Sequence, residues 1–110
     1  MATKQIVDNF VNTSSNAVQS AYTAPLDRGV VIEAFTATNN SSVNASYKAY
    51  IVSSSGDEKP LIPFKVVVWG RVDLGIGVNN QIIPAGGSLR VECSAINSIY
   101  FTVTGREVSV

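Results

Sequence analysis

The chain has 110 residues, 45% of them apolar, which is enough for one domain of ordinary size and too little for a catalytic fold on the scale of an eight-stranded parallel barrel. Charged residues are only 15%, and eight Lys/Arg balance eight Asp/Glu, so no basic field exists to hold phosphates and nucleic acid is disfavoured as the main partner. Zero net charge also removes the repulsion that keeps free monomers apart, as a subunit packed against neighbours can tolerate.

Val, Ile and Thr supply 32 residues and Leu four. Branched side chains lose less in an extended backbone than in a helix, so the chain reads as sheet. Residues 1–16 differ from the rest: Ile6, Val7 and Phe10 are apolar, but the surrounding Asn, Thr and Ser support no stable helix. Two readings stay open, an arm docked on a neighbouring subunit or an edge strand of the chain's own sandwich. Residues 17–110 are expected to form the single sandwich domain. Strands are expected at 17–23, at 29–38 and, beyond the Asn/Ser turn at 39–44, at 45–52. Residues 53–60 read as a hydrated loop. Residues 64–70, nearly all apolar, read as a strand buried on both faces; as a free edge they would invite another chain. Glycines at 70, 75 and 77 suggest a loop that reorders against a partner. After a short strand at Ile82-Ile83 and a Pro-Gly turn, alternation at 89–93 and 99–104 predicts two strands joined as a hairpin, with apolar faces side by side. The whole is expected to be an all-β, antiparallel sandwich of about seven to eight strands with jelly-roll or Greek-key connections.

The chain holds no histidine, which excludes His-based acid–base work, Ser-His-Asp triads and His-ligated metals. Its one cysteine, Cys93, falls on the inward side of a strand and forms no internal disulfide. No apolar leader opens the chain and no apolar run approaches ~20 residues, so neither secretion nor membrane insertion is expected. The Asn-x-Ser/Thr matches at Asn12, Asn39, Asn40 and Asn44 read as turn chemistry. Glu33, Asp57, Glu58, Asp73, Glu92 and Glu107 could pair for glycoside hydrolysis, but no motif fixes a pair and solvated ion pairing, Glu92 with Arg90 and Glu107 with Arg106, is the economical account. The segment 73–80 matches neither a calcium loop nor a dinucleotide fingerprint. Trp69 with Tyr47, Tyr50 and Tyr100 could make a sugar platform, although Trp69 suits a core or interface better. Tyr100 is expected to point outward beside Arg90 and Glu92, either as an interface cluster or as an exposed cross-strand pair.

The stretch Ile82-Ile83-Pro84-Ala85-Gly86-Gly87-Ser88-Leu89, followed by Ser98-Ile99-Tyr100-Phe101-Thr102-Val103-Thr104-Gly105-Arg106-Glu107-Val108, resembles small β-sandwich structural proteins of tailed bacteriophage virions. That resemblance spans about residues 17–108 and implies a particle component, such as capsid decoration or cement, a head–tail neck protein or a tail attachment. It carries over no catalytic residue and no cofactor. The expected function is therefore a non-enzymatic, homo-oligomeric virion protein, made in the host cytoplasm and binding other virion proteins, with no nucleic acid or membrane partner. Ile6, Val7, Phe10, Trp69, Arg90, Glu92 and Tyr100 are the candidate interface residues. A carbohydrate-binding module for host surface glycans is the alternative, and a small carboxylate hydrolase a third reading.

Overall fold

The computed structural model describes residues 3–108, so residues 1–2 of the expected arm and 109–110 of the expected sandwich lie outside them. Among the described residues the nine strands are β1 (Lys4–Val11), β2 (Val18–Thr23), β3 (Gly29–Asn39), β4 (Ala45–Val52), β5 (Glu58–Val67), β6 (Val72–Asp73), β7 (Ile82–Ile83), β8 (Ser88–Cys93) and β9 (Ile99–Val108). One sheet runs β1-β9-β3-β6, with β7 also on β3, and the other runs β2-β8-β4-β5. All pairs are antiparallel.

The pairs β1·β9, β2·β8, β3·β7 and β4·β5 nest inside one another like the rungs of one long hairpin whose tip is the turn after Val52. Rolling that hairpin adds β9·β3 and β8·β4 and closes two sheets over one core. This is the jelly-roll form of the antiparallel β-sandwich. Alternation, reset once by a bulge between Ile32 and Ala34, drives the rolling: Val30, Ile32, Phe35 and Ala37 of β3 and Ile99, Phe101 and Val103 of β9 are buried, as are Tyr47, Ala49 and Ile51 of β4 and Leu89, Val91 and Cys93 of β8. Between the sheets Phe101 packs edge-on to Tyr47 with ring centroids 5.4 Å apart, and Phe35 lies 5.8 Å from Phe101. Tyr47 is thus a core ring and not part of a surface sugar platform.

Three elements depart from the sequence reading. β8 and β9 do not form a hairpin: they lie in different sheets, and residues 94–98 carry the chain across the sandwich, so their apolar faces meet through the core. A five-residue link suits an arch as well as a hairpin, and alternation reports only which side is dry. The loop at 53–60 is shorter than expected, because β5 already starts at Glu58. β5 is moreover an edge strand with a largely exposed surface, not a strand buried on both faces. Residues Lys4–Val11 are hydrogen-bonded along β9, with Val7 in the core cluster and Ile6 and Phe10 packed against it.

The buried asparagines Asn12 and Asn39, each read from the sequence as turn residues, clasp one sheet to the other. Asn39 ends β3, and its Nδ2 donates to the carbonyls of Val67 at 2.8 Å and Val43 at 2.9 Å, while its Oδ1 accepts from the Ser41 backbone N–H and hydroxyl. Asn12 follows β1, and its Nδ2 reaches the Val91 carbonyl in β8 at 3.2 Å. Removing such a group strands buried carbonyls at about 1–3 kcal/mol each. Asn39→Ala is accordingly expected to cost about 3 kcal/mol and to lower Tm by about 10 °C, read by a thermal melt.

Candidate docking surface

β5 and β6 lie at the same flank of the sandwich, one at the edge of each sheet. The Lys65–Asp73 ion pair at 3.8 Å spans the two edges, and Asp73 also accepts a hydrogen bond from the Tyr47 hydroxyl out of the core. This flank carries the largest group of misplaced apolar side chains in the described residues. Phe64 is 61% exposed, Trp69 60%, Leu74 61% and Ile76 89%, and Val66, Val68 and Val72 are about half exposed. Monomers usually keep contiguous apolar patches to about 300–600 Å². At roughly 100 Å² each, these seven side chains approach the ~800 Å² that one partner gives to a standard stable interface.

The local sequence explains how the flank is presented. In β5 the residues facing the core are Lys65, opposite buried Tyr47, and Val67, opposite buried Ala45; Phe64 and Val66 therefore project from the outer face. Beyond β5, Gly70 takes φ 73 in a turn closed by the Arg71 N–H on the Val68 carbonyl at 3.0 Å, and Asn44 Oδ1 accepts from the Trp69 N–H at 3.1 Å. The loop after β6 is pinned from inside. Val78 is buried, and Gly75, at φ 58, sits so close to Phe35 that a Cβ there would lie 2.2 Å from its ring. Leu74 and Ile76 face outward from a loop fixed by its own core contacts.

The free edge itself is defended against strand pairing. Pro60 and Pro63 lack N–H donors, the register against β4 shifts twice, and Lys65 places a half-exposed charge at the edge, paired with Asp73. The edge is thus poorly suited to extension of a sheet, and what the flank presents is apolar side chains on a face.

The remaining sequence candidates scatter. Val7 is buried and Ile6 and Phe10 are half-buried in the chain's own core. Trp69 alone of the seven lies on the apolar flank. Tyr100 does not join Arg90 and Glu92: it lies on β9 in one sheet, and they lie on β8 in the other. Arg90 Nε donates to the Ser88 hydroxyl at 2.9 Å, and Glu92 pairs with Lys48 at 3.8 Å and not with Arg90. Glu107 likewise pairs with Lys4 at 3.5 Å, and Arg106 with Glu33 at 3.2 Å. The Thr3 hydroxyl and the Arg106 guanidinium hold the Glu33 carboxyl below its ordinary range. The four aromatic rings proposed as a sugar platform are not assembled, since Tyr47 is internal and Tyr100 is on the opposite sheet from Tyr50. Of this flank, sequence reading singled out Trp69 and not Phe64, Val66, Leu74 or Ile76, although it marked residues 64–70 as inviting another chain if they formed a free edge and the glycine loop at 70–77 as one that reorders against a partner.

Cys93 offers no reactive thiol, because burial pushes it up to about 12. Burial, with the Asp73 hydrogen bond, also raises the Tyr47 phenol. Both groups hold their protons more tightly folded than unfolded, so the stability they contribute is complete below about pH 8.5 and is lost as pH rises toward 12. Chemical unfolding is expected to need about 2 kcal/mol less at pH 10.5 than at pH 7.5, and thiol labelling at pH 8 to proceed only through unfolding. An equal stability at the two pH values would contradict this.

The class defined by these features is a jelly-roll β-sandwich with one apolar flank. Neither a protein-family model nor a curated protein matches the chain. The solved structures similar to it include two of infectious bursal disease virus. The Gx strain structure gives a TM-score of 0.43 at 9% identity, covering 98% of this chain and 32% of that one. The Gt strain structure gives 0.42 at 10% identity, covering 94% and 31%. The chain therefore spans about a third of the length of either, and the identity is too low for function to be read from them.

Proposed function

We propose that this chain is a non-enzymatic structural subunit of a virus particle, of the tailed-bacteriophage type, that self-associates and packs against other particle proteins as a capsid decoration or cement protein or as a head–tail neck component. Jelly rolls build viral capsid and lectin domains alike, so the fold leaves both classes open. The observation that carries the reading is the Phe64–Ile76 flank, a rigidly presented apolar surface of interface size. A net charge of zero supports it, since nothing long-range opposes the approach of identical copies. Each copy would bury its flank against a neighbour, and symmetric repetition would add avidity to a contact of modest strength.

Sedimentation of the purified chain tests the self-association, and a mass-spectrometric inventory of purified particles tests membership. Concentration-dependent assembly together with presence in the particles is the expected result. A chain that stays monomeric and is missing from particles overturns the reading.

A further inference from the structure

A second feature lies on the outer face of the β1-β9-β3-β6 sheet, beside the flank at the point where Thr38 pairs with Val72. Asn9, Thr38, Asn40, Tyr100 and Thr102 line a hollow of about 310 Å³, at the lower end of the size of small-molecule sites. Its floor comes from strand register. Tyr100 and Thr38 are cross-strand partners and Thr102 pairs with Thr36, so these side chains share one face, and Asn40, just past the end of β3, closes one end of the hollow. Its rim comes from a bulge. Between the pairs Val7↔Val103 and Phe10↔Phe101, β1 sets Asp8 and Asn9 against the single residue Thr102, with Asn9 at φ 63. Such bulges re-aim a side chain, and a short amide tolerates the left-handed conformation.

Two properties of the lining select the ligand. Among the described residues, none of these five side chains makes a hydrogen bond within the protein, so two amides and three hydroxyls keep their capacity unspent. None of the five carries a charge at neutral pH, whereas the hollow at Ile62, Lys65 and Asp73 and the one at Asp57, Glu58 and Lys59 are both edged by charged groups. An amide offers a donor and an acceptor side by side, which matches adjacent hydroxyls of a sugar ring, and an aromatic face packs on its C–H face. We propose that the Asn9/Thr38/Asn40/Tyr100/Thr102 hollow binds a neutral saccharide unit. Its amides and hydroxyls bond the sugar hydroxyls, and Tyr100 stacks on the ring. Recognition without ionised groups is then insensitive to salt.

This site does not depend on the particle role, and its test is read separately from self-association. The full chain is titrated with glucose, galactose, mannose, N-acetylglucosamine and their short linear oligomers up to about 50 mM, followed by amide NMR. The expected result is that at least one neutral sugar shifts the side-chain amide signals of Asn9 and Asn40. Tyr100→Ala is expected to weaken that binding about tenfold or more, and Asn9→Gly, which keeps the left-handed backbone, to weaken it as well. Trp69→Ala should leave it unchanged. Signals that do not move with any of these sugars, shifts that map to Trp69, or binding that requires a charged sugar and fades with salt would each overturn the proposal. If Tyr100→Ala fails to fold, Asn9→Gly and the map of shifts in the native chain decide.

Discussion

Removal of Lys4–Val11 is expected to destroy the folded state and not merely to free an appendage. Val7 is buried in the core cluster, Ile6 and Phe10 pack against it, and the strand is paired to β9 from Lys4↔Gly105 to Val11↔Tyr100. Burial of a Val is worth about 1.5–3 kcal/mol, and the two half-buried side chains add a comparable amount. The lost ladder also strips β9 of one neighbour and detaches Asn12, whose amide ties the end of this strand to Val91. The combined loss is about 5 kcal/mol or more, against a total stability of about 5–15 kcal/mol for a domain. The truncated chain is expected to lose its cooperative thermal transition, to show no near-ultraviolet circular dichroism, and to aggregate through the bared β9 edge. An arm docked on a neighbour would behave oppositely, leaving Tm unchanged while assembly failed. A truncated chain that is monomeric and melts within about 5 °C of the full chain would show that β1 contributes little to the sandwich.

The alternating residues of β3, β4, β8 and β9 made their strands legible, because period two records which side is dry regardless of partner. The same alternation is silent about which sheet a strand joins. Residues 94–98 can turn a hairpin or an arch, and only the crossing of Asn97 and Ser98 between sheets decides it, so Tyr100 was set beside Arg90 when the core separates them. The run Phe64 to Trp69 was misread for a related reason. An apolar stretch favours exclusion of water, and gives no sign whether the chain's own core, another molecule or neither excludes it. Asn12 and Asn39 looked like surface turn chemistry because asparagine is usually that. Their burial follows from the ends of β1 and β3 meeting the opposite sheet, a non-local fact that no short window contains. The saccharide hollow is equally non-local, since Asn9 and Tyr100 share it only through the register of β1 on β9.

Replacing both Phe64 and Trp69 by Asp separates assembly from folding. Both rings are mostly exposed in the single chain, so their loss leaves the sandwich core untouched, and Tm should move by no more than a few degrees. In an assembled state the same rings would be the anchors of the flank, because large aromatic groups supply about 2 kcal/mol or more each when they fill a partner's surface. Two carboxylates placed there must also be desolvated or repel their symmetry mates, which adds to the cost. Together the substitutions are expected to weaken self-association by about 3–4 kcal/mol, or 100- to 1,000-fold, read by sedimentation velocity across a concentration series. Arg90→Ala and Tyr100→Ala, on the outer faces of the two sheets, should leave the same series unchanged. If they abolish assembly and the double variant does not, the contact lies on a sheet face, and the exposed flank has to be explained as a site for a different particle protein. The defended edge supplies an independent reason to expect the flank: with Pro60, Pro63 and the edge charge of Lys65 opposing strand addition along β5, side-chain burial is what this side of the molecule has left to offer a neighbour.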